Sequence, residues 1–208
     1  MNCDSIARWY RRLEYIGFGR ELERRRTAFL GDAADARRIL VMGEGDGRFL
    51  AALVEQNPEA EIDYVDLSER MLDLAFMRVG KCGGRVRFAQ TDARTDSLPC
   101  AAYDLIVTHF FLDCFDESDA ARVVRKIAEA ALPRARWMVS EFRQPGSGWR
   151  AVWARAWLRV LYLFFKITTG LKTSRLIDHR PLLQWEGFRL ARTESARFGL
   201  LVSELWIR

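Results

Sequence analysis

Three glycines at alternate positions follow a short apolar segment, and this arrangement constrains the fold more than any other feature of the chain. Residues 39–42 are Ile-Leu-Val-Met, and Gly43, Gly45 and Gly47 come next, before a helix-forming sequence. We call residues 43–47 the glycine bend. Glycine turns the chain tightly and lets its backbone approach a ligand closely. The N–H groups at the start of the following helix would point at whatever occupies the bend.

The rest of the chain has the pattern of strands and helices that such a bend requires. Short apolar segments alternate with helical patterns, which is typical of βαβ units and a parallel sheet. Strands are predicted near 38–42, 61–65, 85–89, 103–108, 135–141, 187–194 and 199–207. Helices are predicted near 6–16, 21–29, 47–56, 69–79, 118–131, 149–168 and 180–186. We therefore expect an α/β fold, a Rossmann-like three-layer sandwich whose seven-stranded, mostly parallel sheet ends in an antiparallel C-terminal hairpin.

A single domain accounts for the length of the chain. Its 208 residues, half of them apolar, suffice for one hydrophobic core. We predict one domain over residues 1–208, with an N-terminal helical cover at 1–30 and an aromatic-rich helical insertion at 145–180. The 4 cysteines are scattered without Cys-x-x-Cys spacing, so neither a disulfide framework nor a metal site is expected.

The charge distribution restricts the classes of partner and the compartment. The formal net charge is +5, and the basic residues are spread along the chain rather than gathered beside a nucleic-acid reading motif. This argues against a nucleic-acid partner. Asp4 and Arg8 precede any apolar segment, so we expect no secretory signal peptide and a cytoplasmic location.

The glycine bend differs from the loop that binds dinucleotides. The dinucleotide fingerprint has a third glycine where this chain has Arg48. Glu44 and Asp46 would repel a pyrophosphate, whereas they would attract a ligand that carries an ammonium and a sulfonium. The bend also lacks the lysine of a phosphate-binding loop.

The bend resembles the first motif of the class I S-adenosylmethionine-dependent methyltransferases, an apolar strand followed by Gly-x-Gly-x-Gly. The resemblance implies that S-adenosylmethionine is the cofactor and that the backbone of Gly43, Gly45 and Gly47 surrounds its methionine part. The family often has an acidic residue two positions before the first glycine, where this chain has a valine. Glu44 or Asp46 is therefore the alternative partner for the amino group of the cofactor.

A carboxylate ends the second predicted strand. Asp66 follows the bend at about the 20-residue spacing expected for a ribose-binding acid. A carboxylate there can accept hydrogen bonds from both ribose hydroxyls. The alternative role of Asp66 is a helix N-cap, which we assign instead to Ser68. Leu67 lies beside the acid, and Met71 and Leu72 are available to pack near adenine.

The third predicted strand also ends in an acid, Asp92, followed by Ala93. In the resembled family an acidic residue here hydrogen-bonds the adenine amino group, so the resemblance adds Asp92 and Ala93 to the cofactor-binding set. A plain turn role for Asp92 is the alternative.

The loop after the fourth strand should face both cofactor and acceptor, because ligands bind beyond the carboxyl ends of strands in open sheets. His109 and Asp113 are the candidate proton acceptors there, and His109 is also a candidate cofactor contact. Hydrogen-bonded structural roles are the alternatives for both. Tyr10 is a third catalytic candidate, because its hydroxyl could reach an acceptor.

The resemblance implies methyl transfer to a small-molecule acceptor, in the manner of methyltransferases broadly like those of quinone biosynthesis. A non-catalytic, S-adenosylmethionine-binding partner or regulatory protein is the alternative. The aromatic-rich helix at 149–168 leaves three interpretations open: a buried or dimer-packing helix, a lid over the acceptor pocket, or a helix at a membrane surface that serves a hydrophobic acceptor.

Overall fold

The computed structural model describes residues 19–80, 85–143 and 176–208. Its helices are α1 (Glu21–Arg26), α2 (Arg48–Gln56), α3 (Glu69–Val79), α4 (Glu117–Ala130) and α5 (His179–Trp185). Its strands are β1 (Arg38–Met42), β2 (Glu61–Asp66), β3 (Val86–Gln90), β4 (Tyr103–His109), β5 (Ala131–Phe142), β6 (Arg189–Ala196) and β7 (Leu201–Ile207). No helix within these ranges is long and apolar enough to cross a membrane. Tyr10 and the predicted helices at 6–16 and 149–168 lie outside the described residues.

The seven strands form one sheet in the order β3-β2-β1-β4-β5-β7-β6. Strands β1 to β5 run parallel, and β7 lies antiparallel to both β5 and β6. The predicted seven-stranded, mostly parallel α/β fold with an antiparallel C-terminal hairpin is confirmed. Chain order reverses between β1 and β4, and this reversal opens a crevice at the carboxyl ends of the strands.

The apolar run in β1 is continuous because both faces of the sheet are covered. Ile39 and Val41 pack into a core cluster with α2 and α3 on one side. Leu40 and Met42 pack into a second cluster with α4 and α5 on the other. These two clusters give the three layers, and they fix the glycine bend at the end of a fully buried strand.

Strand β5 begins earlier than the predicted 135, directly after α4 ends at Ala130. The register between β4 and β5 shifts between the pairs Tyr103↔Ala131 and Leu105↔Arg136. Arg134 has a φ of 66° within the shifted segment. A bulge of this kind hides the start of a strand, because it breaks the alternation on which sequence patterns depend.

Candidate functional site

An open cleft lies at the carboxyl ends of β1 to β4 and contains about 710 Å³ of space, part of it open to solvent. The lining residues are Met42, Gly43, Gly45, Val65, Asp66, Leu67, Met71, Thr91, Asp92, Ala93, Arg94, Phe110, Phe111, Cys114 and Phe115.

The three glycines of the bend have positive φ but different surroundings. A Cβ on Gly43 would lie 2.2 Å from a ring carbon of Phe111, and one on Gly47 would lie 2.6 Å from the Cα of Ala75. A Cβ on Gly45, whose φ is 95°, would meet no atom within 4 Å. Gly43 and Gly45 line the cleft, whereas Gly47 is needed for the close packing of α2 against α3.

The two acids of the bend are used by the protein itself, and neither lines the cleft. The buried Glu44 carboxyl accepts a hydrogen bond from Phe49 N at 3.2 Å, and burial raises the pKa of Glu44 to about 7. The Asp46 carboxylate pairs with Arg48 Nε at 2.9 Å and with Arg78 Nη2 at 3.1 Å. The structure therefore does not bring Glu44 and Asp46 to the predicted position beside a cofactor amino group. Their side chains turn into the protein because the backbone alternates between positive φ at the glycines and ordinary φ at the two acids.

Asp66 ends β2 and lines the cleft beside Gly45. Its Oδ1 accepts a hydrogen bond from Ser68 N at 2.9 Å, and burial raises the pKa of Asp66 to about 6. Ser68 is the N-cap of α3, with its hydroxyl accepting from Met71 N at 3.2 Å. Asp66 is therefore not the cap, and its carboxylate faces the same space as the bend. Leu67 and Met71 also line the cleft.

Asp92 and Ala93 line the cleft beyond β3, together with a cation that sequence reasoning missed. The side chain of Arg94 binds both carboxylate oxygens of Asp92, at 3.0 and 2.7 Å. These hydrogen bonds lower the pKa of Asp92 to about 2, so this carboxylate stays ionised at neutral pH. This ion pair could have been predicted from the spacing of Asp92 and Arg94, since a side chain two residues further along a turn can fold back onto the first residue.

The side chain of His109 is buried away from the cleft. Its ring packs edge-on against Phe49, with the centroids 4.6 Å apart. Burial lowers the pKa of His109 to about 3, and the positive charge of Arg26 acts in the same direction. Neither ring nitrogen has a hydrogen-bond partner among residues 19–80, 85–143 and 176–208. The next two residues, Phe110 and Phe111, enter the cleft instead.

Replacing His109 with leucine is expected to raise the free energy of unfolding by about 1 kcal/mol at pH 7, because it removes two buried nitrogens that have no hydrogen-bond partner among the described residues. A buried histidine with a lowered pKa contributes stability that is lost as the pH falls below its unfolded value of about 6.5. The gain from His109→Leu should therefore increase from pH 7 to pH 5. Urea unfolding at both pH values measures it, and a variant less stable than the wild type would contradict the absence of hydrogen bonds.

Asp113 is not among the residues that line the cleft, although its neighbour Cys114 is. Burial raises the pKa of Asp113 to about 6. Burial and the nearby Asp113 raise the pKa of Glu141 well above its ordinary value. Glu141 Oε1 accepts from Phe111 N at 3.0 Å and from Leu112 N at 2.7 Å. These carboxyl groups shape the loop that carries the cleft aromatics.

A second polar group missed by sequence reasoning is centred on Glu204 of β7. The buried Glu204 accepts from His179 Nε2 at 2.8 Å, from Arg180 Nη2 at 2.6 Å and from Trp206 Nε1 at 3.0 Å. Although burial raises the pKa of Glu204, His179 and Arg180 lower it below its ordinary value. Since the carboxylate is ionised, Nε2 of His179 is the protonated nitrogen. The pairing joins α5 to β7, which sequence spacing alone does not indicate.

Solved structures share this architecture. The chain aligns with an S-adenosylmethionine-dependent methyltransferase from Mesorhizobium loti over 91% of its own length and 97% of that chain, with a TM-score of 0.66 and 19% identity. The N-methyltransferase NodS from Bradyrhizobium japonicum, solved with S-adenosyl-L-homocysteine, aligns over 91% of this chain and 87% of that chain, with a TM-score of 0.62 and 15% identity. At these identities the likeness establishes the fold.

Sequence comparison finds methyltransferases among the relatives of the chain. Residues 39–134 match the methyltransferase domain family. The demethylmenaquinone methyltransferase of Deinococcus radiodurans is 31% identical over 125 residues, which are 60% of this chain and 51% of that protein. These matches support a class I S-adenosylmethionine-dependent methyltransferase. The chain spans about half the length of this curated relative.

The family match and the solved methyltransferases indicate S-adenosylmethionine as the cofactor. The charge of the cleft and the open space at Gly45 both suit that molecule. Asp66 and Asp92 give it two carboxylates against the one guanidinium of Arg94 among the described lining residues, which suits a sulfonium. Gly45 leaves open space where any side chain would project.

Proposed function

We propose that this protein transfers a methyl group from S-adenosylmethionine to a small, hydrophobic acceptor. The observation that carries the proposal is that Gly45 and Asp66 open onto one cleft at the point where the strand order reverses. In this proposal Asp66 accepts hydrogen bonds from the ribose hydroxyls, and Asp92 accepts one from the adenine amino group. Met71 and Ala93 contact the adenosine, and the backbone at Gly43 and Gly45 borders the methionine part.

The cofactor supplies an activated methyl group on its sulfonium. The protein then contributes mainly by positioning, because holding two reactants in line supplies much of the rate. Asp92 is suited to this task, since its two hydrogen bonds from Arg94 hold the carboxylate in one orientation. Asp66 is held in the same way by the N–H of Ser68.

The acceptor end of the cleft is aromatic. Phe110, Phe111 and Phe115 line it together with Cys114. Such a surface favours a planar or apolar acceptor and excludes water from the reacting atoms. The name of the Deinococcus radiodurans relative, a demethylmenaquinone methyltransferase, supports a quinone-like acceptor for this chain as well.

Transfer of radiolabelled methyl from S-adenosylmethionine to a panel of hydroxylated quinones and naphthols tests the proposal. We expect label in at least one aromatic acceptor and none in short polar acids such as aconitate. A matched reaction with Asp66→Ala should lose the label. Binding of the cofactor without transfer to any acceptor, aromatic or polar, would contradict a catalytic role and favour a regulatory protein.

A further inference from the structure

A tyrosine hydroxyl lies directly beneath the glycine bend and contacts two acceptors. Tyr64, on β2, is fully buried. Its hydroxyl oxygen lies 2.8 Å from the carbonyl oxygen of Gly45 and 3.0 Å from Oε2 of Glu44. The other carboxyl oxygen of Glu44 accepts the N–H of Phe49 at 3.2 Å. The contacts link the first turn of α2, the bend and the second strand in one buried network.

A phenol has one proton, so it cannot donate to both acceptors at once. If Glu44 is ionised, its carboxylate competes with the carbonyl of Gly45 for the Tyr64 proton, and one buried acceptor loses its donor. If Glu44 is protonated at Oε2, the carboxyl donates to the oxygen of Tyr64, and Tyr64 donates to Gly45. Only the protonated form of Glu44 satisfies every contact, and buried polar groups are satisfied in stable folds.

We propose that Tyr64 and protonated Glu44 are positioning residues that hold the bend in its cofactor-binding form, so that ionisation of Glu44 weakens cofactor binding. This inference rests on the proposed function, since it concerns the same cleft. Glu44 and Tyr64 do not line the cleft, whereas Gly45 does. Both residues therefore act through the backbone of Gly45.

The peptide of Gly45 connects this network to the cofactor site. The backbone N–H of Gly45 acts on the carboxylate of Asp66 and opposes the rise in its pKa that burial causes. The N–H and the carbonyl of Gly45 belong to adjacent peptide groups joined at its Cα, so a change of φ or ψ that follows a lost carbonyl contact would move both. Such a change would disturb the open side of the bend and the acid proposed to accept the ribose hydroxyls. A single protonation beneath the bend thus reaches two parts of the cleft.

The charges around Glu44 place its ionisation near neutral pH. Burial raises the pKa of Glu44 to about 7, the charge of Arg26 on α1 opposes this rise, and Asp46 adds to it. Burial and the acids Glu44, Asp66 and Asp46 raise the pKa of Tyr64 well above its ordinary value, so the phenol keeps its proton. His109 on β4, which also faces Arg26, is neutral at this pH. Cofactor affinity should consequently be high below pH 7 and fall above it.

Calorimetric titration of the full chain with S-adenosylhomocysteine between pH 6.5 and pH 8.5 tests the inference. We expect the wild-type affinity to fall about 10-fold over this range, the effect of one lost hydrogen bond. Glu44→Gln should keep the low-pH affinity throughout, because its amide oxygen accepts from Phe49 N and its amide nitrogen donates to Tyr64. Any change in the protonation of the ligand affects both proteins equally, so the ratio of their affinities at each pH reports the effect of Glu44 ionisation alone.

Tyr64→Phe supplies the second variant, with Tyr103→Phe as its control. Tyr64→Phe should bind about 10-fold more weakly at pH 6.5, since Gly45 loses its donor. The hydroxyl of Tyr103 donates to Asp63 at 2.6 Å, away from the cleft, and its removal should leave affinity unchanged. Equal pH profiles for the wild type and Glu44→Gln, or wild-type affinity in Tyr64→Phe, would overturn the inference. No binding by the wild type at any pH would instead overturn the proposed function, and this inference with it.

Discussion

Asp66→Ala is expected to weaken binding of S-adenosylhomocysteine about 100-fold. A carboxylate that accepts two ribose hydroxyls loses two charge-assisted hydrogen bonds when it is truncated, and each contributes about 1.5 kcal/mol or more. Calorimetric titration at pH 7.5 measures the change. Asp73, exposed on α3, provides the charge-matched control, and Asp73→Ala should bind like the wild type.

The buried carboxylate of Asp66 should also lower the free energy of unfolding. The conservative variant Asp66→Asn separates this effect on stability from the effect on cofactor binding. The folded-state pKa of Asp66 is raised to about 6 from 3.8, and its contribution to stability is therefore complete below pH 3.8 and lost as the pH rises through 6. Asp66→Asn keeps an acceptor for Ser68 N. We expect it to raise the free energy of unfolding by about 1–2 kcal/mol at pH 8, with a smaller gain at pH 5, while affinity still falls. Undiminished affinity in both Asp66 variants would show that the ribose binds elsewhere.

Gly47→Ala should lower the free energy of unfolding more than an alanine at any other glycine of the bend. The new Cβ would lie 2.6 Å from the Cα of Ala75, a backbone atom that cannot move aside without shifting α3, and φ is 77°. Strain and overpacking together are expected to lower the free energy of unfolding by about 3 kcal/mol or more. Urea unfolding followed by circular dichroism measures this loss.

Gly45→Ala is the matched control for Gly47→Ala. Its φ of 95° imposes comparable backbone strain, but a Cβ would meet no atom within 4 Å. The expected loss of stability is therefore about 1–2 kcal/mol. In Gly45→Ala the free energy of cofactor binding should change more than the free energy of unfolding, because the added methyl group projects into the cleft. Equal unfolding energies for the two variants would contradict the assignment of Gly47 to helix packing.

The sequence predicts the sheet and the acids at its edge because both depend on local pattern. Fully buried strands such as β1 appear as apolar runs, and a carboxylate directly after a parallel strand must lie at the carboxyl edge, which places Asp66 and Asp92. Ser68 as the N-cap of α3 was likewise predictable from its position before the helix. The roles of these acids toward a cofactor stay a prediction.

Side-chain directions within the bend could not be predicted in the same way. Successive residues there alternate between ordinary backbone and positive φ, so the period of two that orients strand side chains no longer applies. The side chain of Glu44 consequently contacts Tyr64 on β2, and that of Asp46 contacts Arg78 on α3. The partner of Glu44 is a tyrosine on β2, 20 residues further along the chain, and no local sequence pattern indicates that contact.

The β4 loop differed from prediction for a related reason. Strand alternation continues through His109 and turns its ring to the α2 side, where it meets Phe49. Phe110 then has a φ of 54°, which resets the direction of the chain and sends the aromatic side chains into the cleft. A non-glycine residue with positive φ is rarely recognisable from sequence.

A crystal structure of the full chain with S-adenosylhomocysteine would show whether Gly45 and Asp66 hold the same ligand. We expect both ribose hydroxyls at hydrogen-bond distance, about 2.7–3.0 Å, from the carboxylate of Asp66, with the homocysteine part against the backbone of Gly45. A ligand that lies outside the cleft, or whose ribose contacts neither oxygen of Asp66, would contradict this expectation.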